Sequence, residues 1–377
     1  MKKYFLCVFL IVTFFTGYVF ADSKDSLSIY GLVKNPLNIS MQDLTKFQSI
    51  QVQMNEVTND GEFRGVFHYR GVPLRTLLEL ACIKKNKKEF SKSVDLAIAV
   101  RNKKGAQIIL SWGEVFYRNS GEILIATAAV PIMPHKDCKG CHSLEFYKPL
   151  IDQLHRNICF PKLVVAGDSF ADRSLEEITN IEVIDITPII NVKKEPKLFS
   201  KQFRITGYGI KPLSLSDISQ YPRKNMRIKK IGAGKGYHGI LQVSGASLKQ
   251  ILEDAGIKPD LNTVFIVSAP DGYRSLLSCG EVFLSPSGDQ IIIADRINGQ
   301  SIDSGGKFIL LISNDLMADR WVKSIEKIEV ISISNKALGL AQKLNYGIVK
   351  ATINNDNGLA QNRFFHAPRH KPSGVLE

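Results

Sequence analysis

Ser111–Phe116 reads SWGEVF and Ser278–Phe283 reads SCGEVF, so one hexapeptide recurs 167 positions along the chain with a single change. Upstream, YRGVPLRTLLELA around Gly71 matches VSGASLKQILEDAG around Gly245, an offset of 174, and the leucines after each glycine are spaced as one helix face. Earlier still, LSIYGLVKNPLNISMQDL from Leu27 matches FRITGYGIKPLSLSDI from Phe203 and sets Gly31 against Gly207, an offset of 176. Both read as a short strand, a glycine turn, a proline and a polar-capped helix start. Downstream, KLVVAGDSFADRSLEEITNIEVI matches KFILLISNDLMADRWVKSIEKIEVI and pairs Asp172 and Arg173 with Asp319 and Arg320, an offset of 147. Four blocks in one order, with offsets that drift only in loop-like stretches, mark an internal repeat.

The one abrupt step, twenty residues, brackets Cys138 to Cys159 and marks an insert in the first copy. The chain divides into an export signal at 1–21, a first repeat at 27–190 with its insert at about 132–160, a charged, proline-containing linker at 191–200, a second repeat at 201–335 and a C-terminal extension at 336–377. Strands expected at Asp95–Val100, Ile123–Val130, Thr263–Ala269 and Ile291–Ala294 alternate with one clear helix per copy. This is an α+β pattern, not a βαβ series.

The order strand-G-x-V-x-x-P, then Y-x-G-V-P-L-x-x-L-L, then a strand with a G-E-x-F turn, then A-D-R followed by I-E-V-I resembles the oxidoreductase molybdopterin-binding domain of the sulfite-oxidase type, once per repeat. The resemblance implies two tandem copies of a sulfite-oxidase-type molybdopterin-binding-like domain. It also implies a cysteine thiolate on molybdenum in the stretch before the G-V-P-L helix. Neither 46–70 nor 219–244 contains a cysteine, and a soft thiolate has no substitute in Met54, Asn55 or the glycines there. Sulfite-oxidase-type molybdenum catalysis is therefore not expected, although IGAGKGYHG at Ile231–Gly239 offers glycine amides, Lys235 and His238 to a phosphate, against the plainer reading of a surface loop. Cys82 and Cys279 read as buried small hydrophobes. The recurrence of Asp172 and Arg173 as Asp319 and Arg320 reads as a structural ion pair or helix start, and no catalytic residue is assigned.

Three chemistries compete for the insert. In the first, CKGCH attaches haem c: Cys138 and Cys141 form thioethers, His142 ligates the iron, and His155, ahead of His135 and Met133, is the candidate sixth ligand. In the second, Cys138, Cys141, His155 and Cys159 bind zinc as C-x2-C-x13-H-x3-C, stapling a segment too small for its own core. The third is a disulfide.

Lys2 and Lys3 precede an apolar run from Tyr4 to Phe20, with Val19 and Ala21 at the cleavage positions, so an exported, periplasmic chain starting at Asp22 is expected; an uncleaved anchor is the other reading. Haem attachment suits that compartment. The net charge of +13 is spread over short clusters such as Lys84–Lys88 and Arg223–Lys230, which speaks for solvated basic faces and against nucleic-acid binding. An acidic redox partner fits that charge, and membrane contact would come only through the anchor or a partner.

Overall fold

The computed structural model describes residues 26–85, 90–132, 156–186, 199–232, 234, 236–303 and 305–333. In the first half the strands are β1 (Ser26–Gly31), β2 (Leu37–Ser40), β3 (Ile50–Val57), β4 (Phe63–Pro73), β5 (Leu96–Asn102), β6 (Gln107–Ser111), β7 (Ile123–Pro131), β8 (Lys162–Val165) and β9 (Ile178–Asp185). Helices α1 (Met41–Leu44), α2 (Leu74–Ala81) and α3 (Trp112–Phe116) join them. The second half has β10 (Phe203–Gly207), β11 (Leu213–Leu215), β12 (Arg223–Gly232), β13 (Gly236–Ser247), β14 (Thr263–Ser268), β15 (Arg274–Ser278), β16 (Ile291–Ile297), β17 (Gln300–Ser301), β18 (Ile309–Ile312), β19 (Val322–Lys323) and β20 (Lys327–Ser332), with α4 (Leu248–Asp254) and α5 (Cys279–Phe283).

The halves share their strand order. One five-stranded sheet runs β2-β1-β9-β5-β6 and the other β11-β10-β20-β14-β15. Each contains one parallel pair, aligning Ile29 with Ile181 and Ile205 with Ile328. Gly31 and Gly207 end the strands that start these pairs, at φ +93° and +128°, where a Cβ would strike the carbonyl oxygens of Val183 and Val330. The second sheets run β3-β4-β7-β8 and β12-β13-β16-β18-β19, with β17 beside β16.

Each half packs its long helix between its two sheets. Leu74, Leu77, Leu78 and Ala81 of α2 are fully buried in the first core, and Leu248, Ile251 and Leu252 of α4 in the second. Each such leucine or isoleucine contributes about 1.5–3 kcal/mol. The run LAIAV in β5 is buried on both faces because Leu96, Ile98 and Val100 enter the first core, while Ala97 and Ala99 meet Val264, Ile266 and Leu276 of the other half. The two five-stranded sheets thus lie against one another, and Gln107 clips the seam by donating to Asn262 Oδ1 at 2.9 Å and the Ile333 carbonyl at 2.8 Å.

The recurring hexapeptide builds the rest of this seam. Ser111 and Ser278 cap α3 and α5, each in a reciprocal box with Glu114 or Glu281. Each capping hydroxyl also reaches across: Ser278 donates to Glu114 Oε1 at 2.7 Å, and Ser111 hydrogen-bonds Glu281. Arg173 binds Glu114 at 2.6 Å and grips Asp168 with two bonds of 2.6 Å, its guanidinium lying over Gly280 of the other half. Arg320 repeats this with Glu281 at 3.0 Å and Asp315 at 2.7 Å, lying over Gly113. Any Cβ on either glycine would collide with the opposite arginine. Burial pushes the Glu114 carboxyl up against the pull of Arg173, whereas Arg320 and Arg118 outweigh burial at Glu281 and hold it down. The recurrent arginines are therefore structural ion-pair partners, as their repetition suggested.

Two local expectations need correction. The helix start expected in both copies forms only in the first, where Ser40 caps α1 by accepting from the Asp43 N–H. In the second, the Ser219 N–H and hydroxyl both bind Asp217, a local turn that competes with helix. Cys82, expected to be buried, is exposed: it ends α2 at φ 57°, which turns its side chain out of the core. Cys279 is buried as expected.

Candidate functional site

A cleft of about 380 Å³ opens where the halves meet, lined by Lys92 from the first and by Lys230, His238, Tyr273, Trp321 and Lys323 from the second. Lys92 sits just before a 3-10 turn, Ser93–Asp95, which is fixed to the other half through Asp95. Asp95 is fully buried, pairs with Arg274 at 2.8 Å and binds Lys85. Burial raises its carboxyl above the ordinary value even against both cations. Phe90 adds an edge-on contact to Tyr273 at 5.5 Å, with Arg274 over its face.

This scaffold holds the Lys92 ammonium 2.8 Å from Asp319 Oδ1 and 3.3 Å from the Tyr273 hydroxyl, above the Tyr273 ring. The Tyr273 hydroxyl donates to the Asp319 carbonyl. Burial works against charge on Lys92, but Asp319 and Tyr273 outweigh it and raise the ammonium's pKa; burial likewise raises the Tyr273 phenol. The opposite wall is the end of the β12–β13 hairpin, from which Lys230, Gly232 and His238 face the cleft. Among the described residues no ion pair engages Lys230 or Lys323. Three lysines and a histidine against two carboxylates, Asp319 and Asp271, leave positive potential to spare, with Tyr273 and Trp321 as flat apolar walls. Such a site suits a planar or compact anion.

The first half's ADR turn borders a counterpart pocket of about 130 Å³, lined by Asn59, Asp172, Pro259, Asp260, Leu261 and Cys279. It is the smaller of the two: the β3–β4 turn reaches in, and the Asn59 N–H donates to Asp172 at 3.0 Å. Burial pushes the Cys279 thiol up to about 11, so it stays protonated at neutral pH. The two pockets thus arise from equivalent places in a repeated fold and have opposite charge.

Part of IGAGKGYHG, expected as a surface loop, is wall to the open cleft, and Lys235 lies outside the described residues. Lys92, Tyr273 and Trp321 were not singled out, because only the pairing of the two halves brings Lys92 to residues more than 130 positions away. The haem candidates Cys138, Cys141 and His142, with His155, His135 and Met133, lie outside the described residues, as do the signal at 1–21, nearly all of the linker and the extension. Of the zinc set only Cys159 is described; it is exposed, and its backbone N–H donates to Glu176 at 3.1 Å. Among the described residues no three His, Cys, Asp or Glu side chains are grouped to hold a metal, and no helix is long and apolar enough to cross a membrane.

No protein-family profile and no curated protein matches the chain. Among solved structures it is similar to the sulfane dehydrogenase SoxCD from Paracoccus pantotrophus, at 13% identity over 83% of this chain and 79% of that one, with a TM-score of 0.30. So shallow a likeness leaves the chemistry to the residues themselves.

Proposed function

We propose that this chain is an exported redox protein that carries one haem c on its insert and transfers electrons, with the duplicated α+β body as a rigid mount. One observation carries the reading: CKGCH at 138–142 lies in the segment between β7 and β8, and the chain returning from it is bound to the body by Arg156 and Lys162. Arg156 pairs with Glu56 at 2.8 Å and with Glu176, while Lys162 binds Glu56, Glu176 and Tyr69. A redox group on a mobile tether would sample many distances to its partner; a stem anchored at its base narrows them. Cys138 and Cys141 would hold the porphyrin and His142 the iron, with His155 the candidate for the sixth position. When bound, the haem supplies one-electron transfer, and the basic surface of the body favours an acidic redox partner. Production in a host that matures c-type cytochromes should give a red protein whose haem stays attached after denaturation and is lost in the Cys138→Ala/Cys141→Ala variant. A colourless wild-type protein overturns the reading.

The cleft supports a second reading, a binding module for an anionic ligand, in which Lys92, Lys230 and Lys323 neutralise the charge and His238 offers a hydrogen bond. A molybdenum centre of the sulfite-oxidase kind does not fit, because no described thiol lines this cleft and the buried Cys279 faces its smaller counterpart. A zinc-stapled insert would serve the binding reading equally well; one zinc per chain in the colourless protein, lost in Cys159→Ala, would establish it.

A further inference from the structure

Strand β12 stands at the outside of its sheet: β13 takes one edge, and among the described residues no strand takes the other. Every second residue of such a strand turns its N–H and C=O outward, which makes the edge a template for pairing. Alongside it runs a groove of about 1030 Å³ between the halves, with the half-buried Met226 on its floor and Tyr117 and Leu316 on the far wall. The strand itself, RKNMRIKKIG, has cations at Arg223, Lys224, Arg227, Lys229 and Lys230 and no acid. Arg223 is paired with Asp295, and Lys224 lies 3.7 Å from Asp289. Arg227 and Lys229 are exposed and have no ion pair among the described residues.

Edge lysines commonly protect a strand from self-association. The counterpart strand β3 shows that protection here does not require charge, since it too is an outer strand and presents Gln51, Gln53 and Asn55 to solvent. The cations of β12 therefore exceed what solvation asks. They repel a second copy of β12 and attract a strand of opposite sign.

We propose that the outer edge of β12 is a docking strand for an extended acidic segment of a partner polypeptide. The segment adds to the sheet through backbone hydrogen bonds, directs carboxylates to Arg227 and Lys229 and lays an apolar side chain on Met226. The chain's own extension is a poor occupant on charge: residues 334–377 contain Lys336, Lys343, Lys350, Arg363, Arg369 and Lys371 against only Asp356 and Glu377. A single-stranded nucleic acid would use exposed aromatic platforms for its bases, and among the described residues Tyr117 is the one aromatic ring of the groove, engaged by Trp112 at 5.0 Å. The proposal is independent of the haem.

The test uses the full chain and three fluorescent octapeptides, read by anisotropy at low and physiological salt. These are an alternating Glu-Val sequence, its Lys-Val counterpart, and the Glu-Val sequence N-methylated at every second residue. The acidic peptide should bind and slow amide exchange along β12, the basic one should not bind, and N-methylation should weaken binding at least about tenfold by removing the backbone donors. Arg227→Gln/Lys229→Gln should also cost about tenfold with unchanged thermal unfolding; if that variant melts early, Arg227→Lys/Lys229→Arg must restore binding. Equal binding of the N-methylated peptide, or tighter binding of a single-stranded oligonucleotide, overturns the proposal.

Discussion

The outer faces of the two sheets β3-β4-β7-β8 and β12-β13-β16-β18-β19 occupy equivalent positions and differ in chemistry. On β4 and β13, Tyr69 and Val243 each stand two residues before the repeat glycine, and Lys162 and Ile309 each pair with the alanine that faces that glycine. In the second half, Ile228, Val243, Ile292 and Ile309 close over one another as an apolar layer. In the first, Tyr69 donates to Glu56 at 2.8 Å, and Lys162, almost fully buried, binds Glu56, Glu176 and the Tyr69 hydroxyl. The polar version occurs where the insert leaves and returns, and one of its members, Arg156, belongs to the returning stem. The apolar version shows what the same backbone does without an insert. Buried ions are seldom needed for stability alone, so the network is better understood as the device that fixes the stem.

Lys162→Ile, which imposes the second half's residue, leaves Glu56 buried with one cation and should cost about 3–5 kcal/mol in urea unfolding. Adding Glu56→Leu should recover more than half of that loss, because the remaining Arg156–Glu176 pair is closer to solvent. Failure of the double variant to recover would mean that the network supports the fold and not only the stem. Where the halves agree, their responses should match: Gly113→Ala and Gly280→Ala each drive a methyl into a buried guanidinium and should each cost about 1–3 kcal/mol by the same measurement. Ile309→Val, the mild change on the apolar side, should cost only about 0.5–1.5 kcal/mol.

The faces should also differ in acid. Burial raises the Glu56 carboxyl, but Lys162, Arg156 and Tyr69 more than offset it and hold the pKa below the ordinary glutamate value of 4.5. A depressed carboxylate contributes stability that is complete above that value and is lost as pH falls through the folded one. Stability measured from pH 6 to 3 should therefore fall less steeply in Glu56→Leu/Lys162→Ile than in the parent protein.

Much of the scaffold was legible because its cues are local. The leucines after Gly71 and Gly245 marked α2 and α4, and the matched blocks fall on corresponding elements of the two halves. The recurrence of Arg173 and Arg320 pointed to structure, and they are indeed buried in ion pairs. The cleft was not legible. Lys92 has no local pattern around it, and its meeting with Tyr273 and Asp319 depends on the packing of one half against the other. Cys82 misled because a helix end can turn a side chain outward through one positive φ, which no periodicity records. The insert's chemistry is carried by residue identity alone, so CKGCH stays a reading of the sequence.

The crossed arginines have a consequence for how the chain holds together. Arg173 fills the space over Gly280 and Arg320 the space over Gly113, so each half supplies a piece of the other's interior. A half made alone would expose an apolar sheet face and an empty socket, whereas two halves produced as separate polypeptides, divided between Ile186 and Phe199, should recombine with one-to-one stoichiometry. Such mutual completion leaves the seam little room to vary while the outlying surfaces diverge freely, one toward an open cationic hollow and the other toward a mount for an added segment.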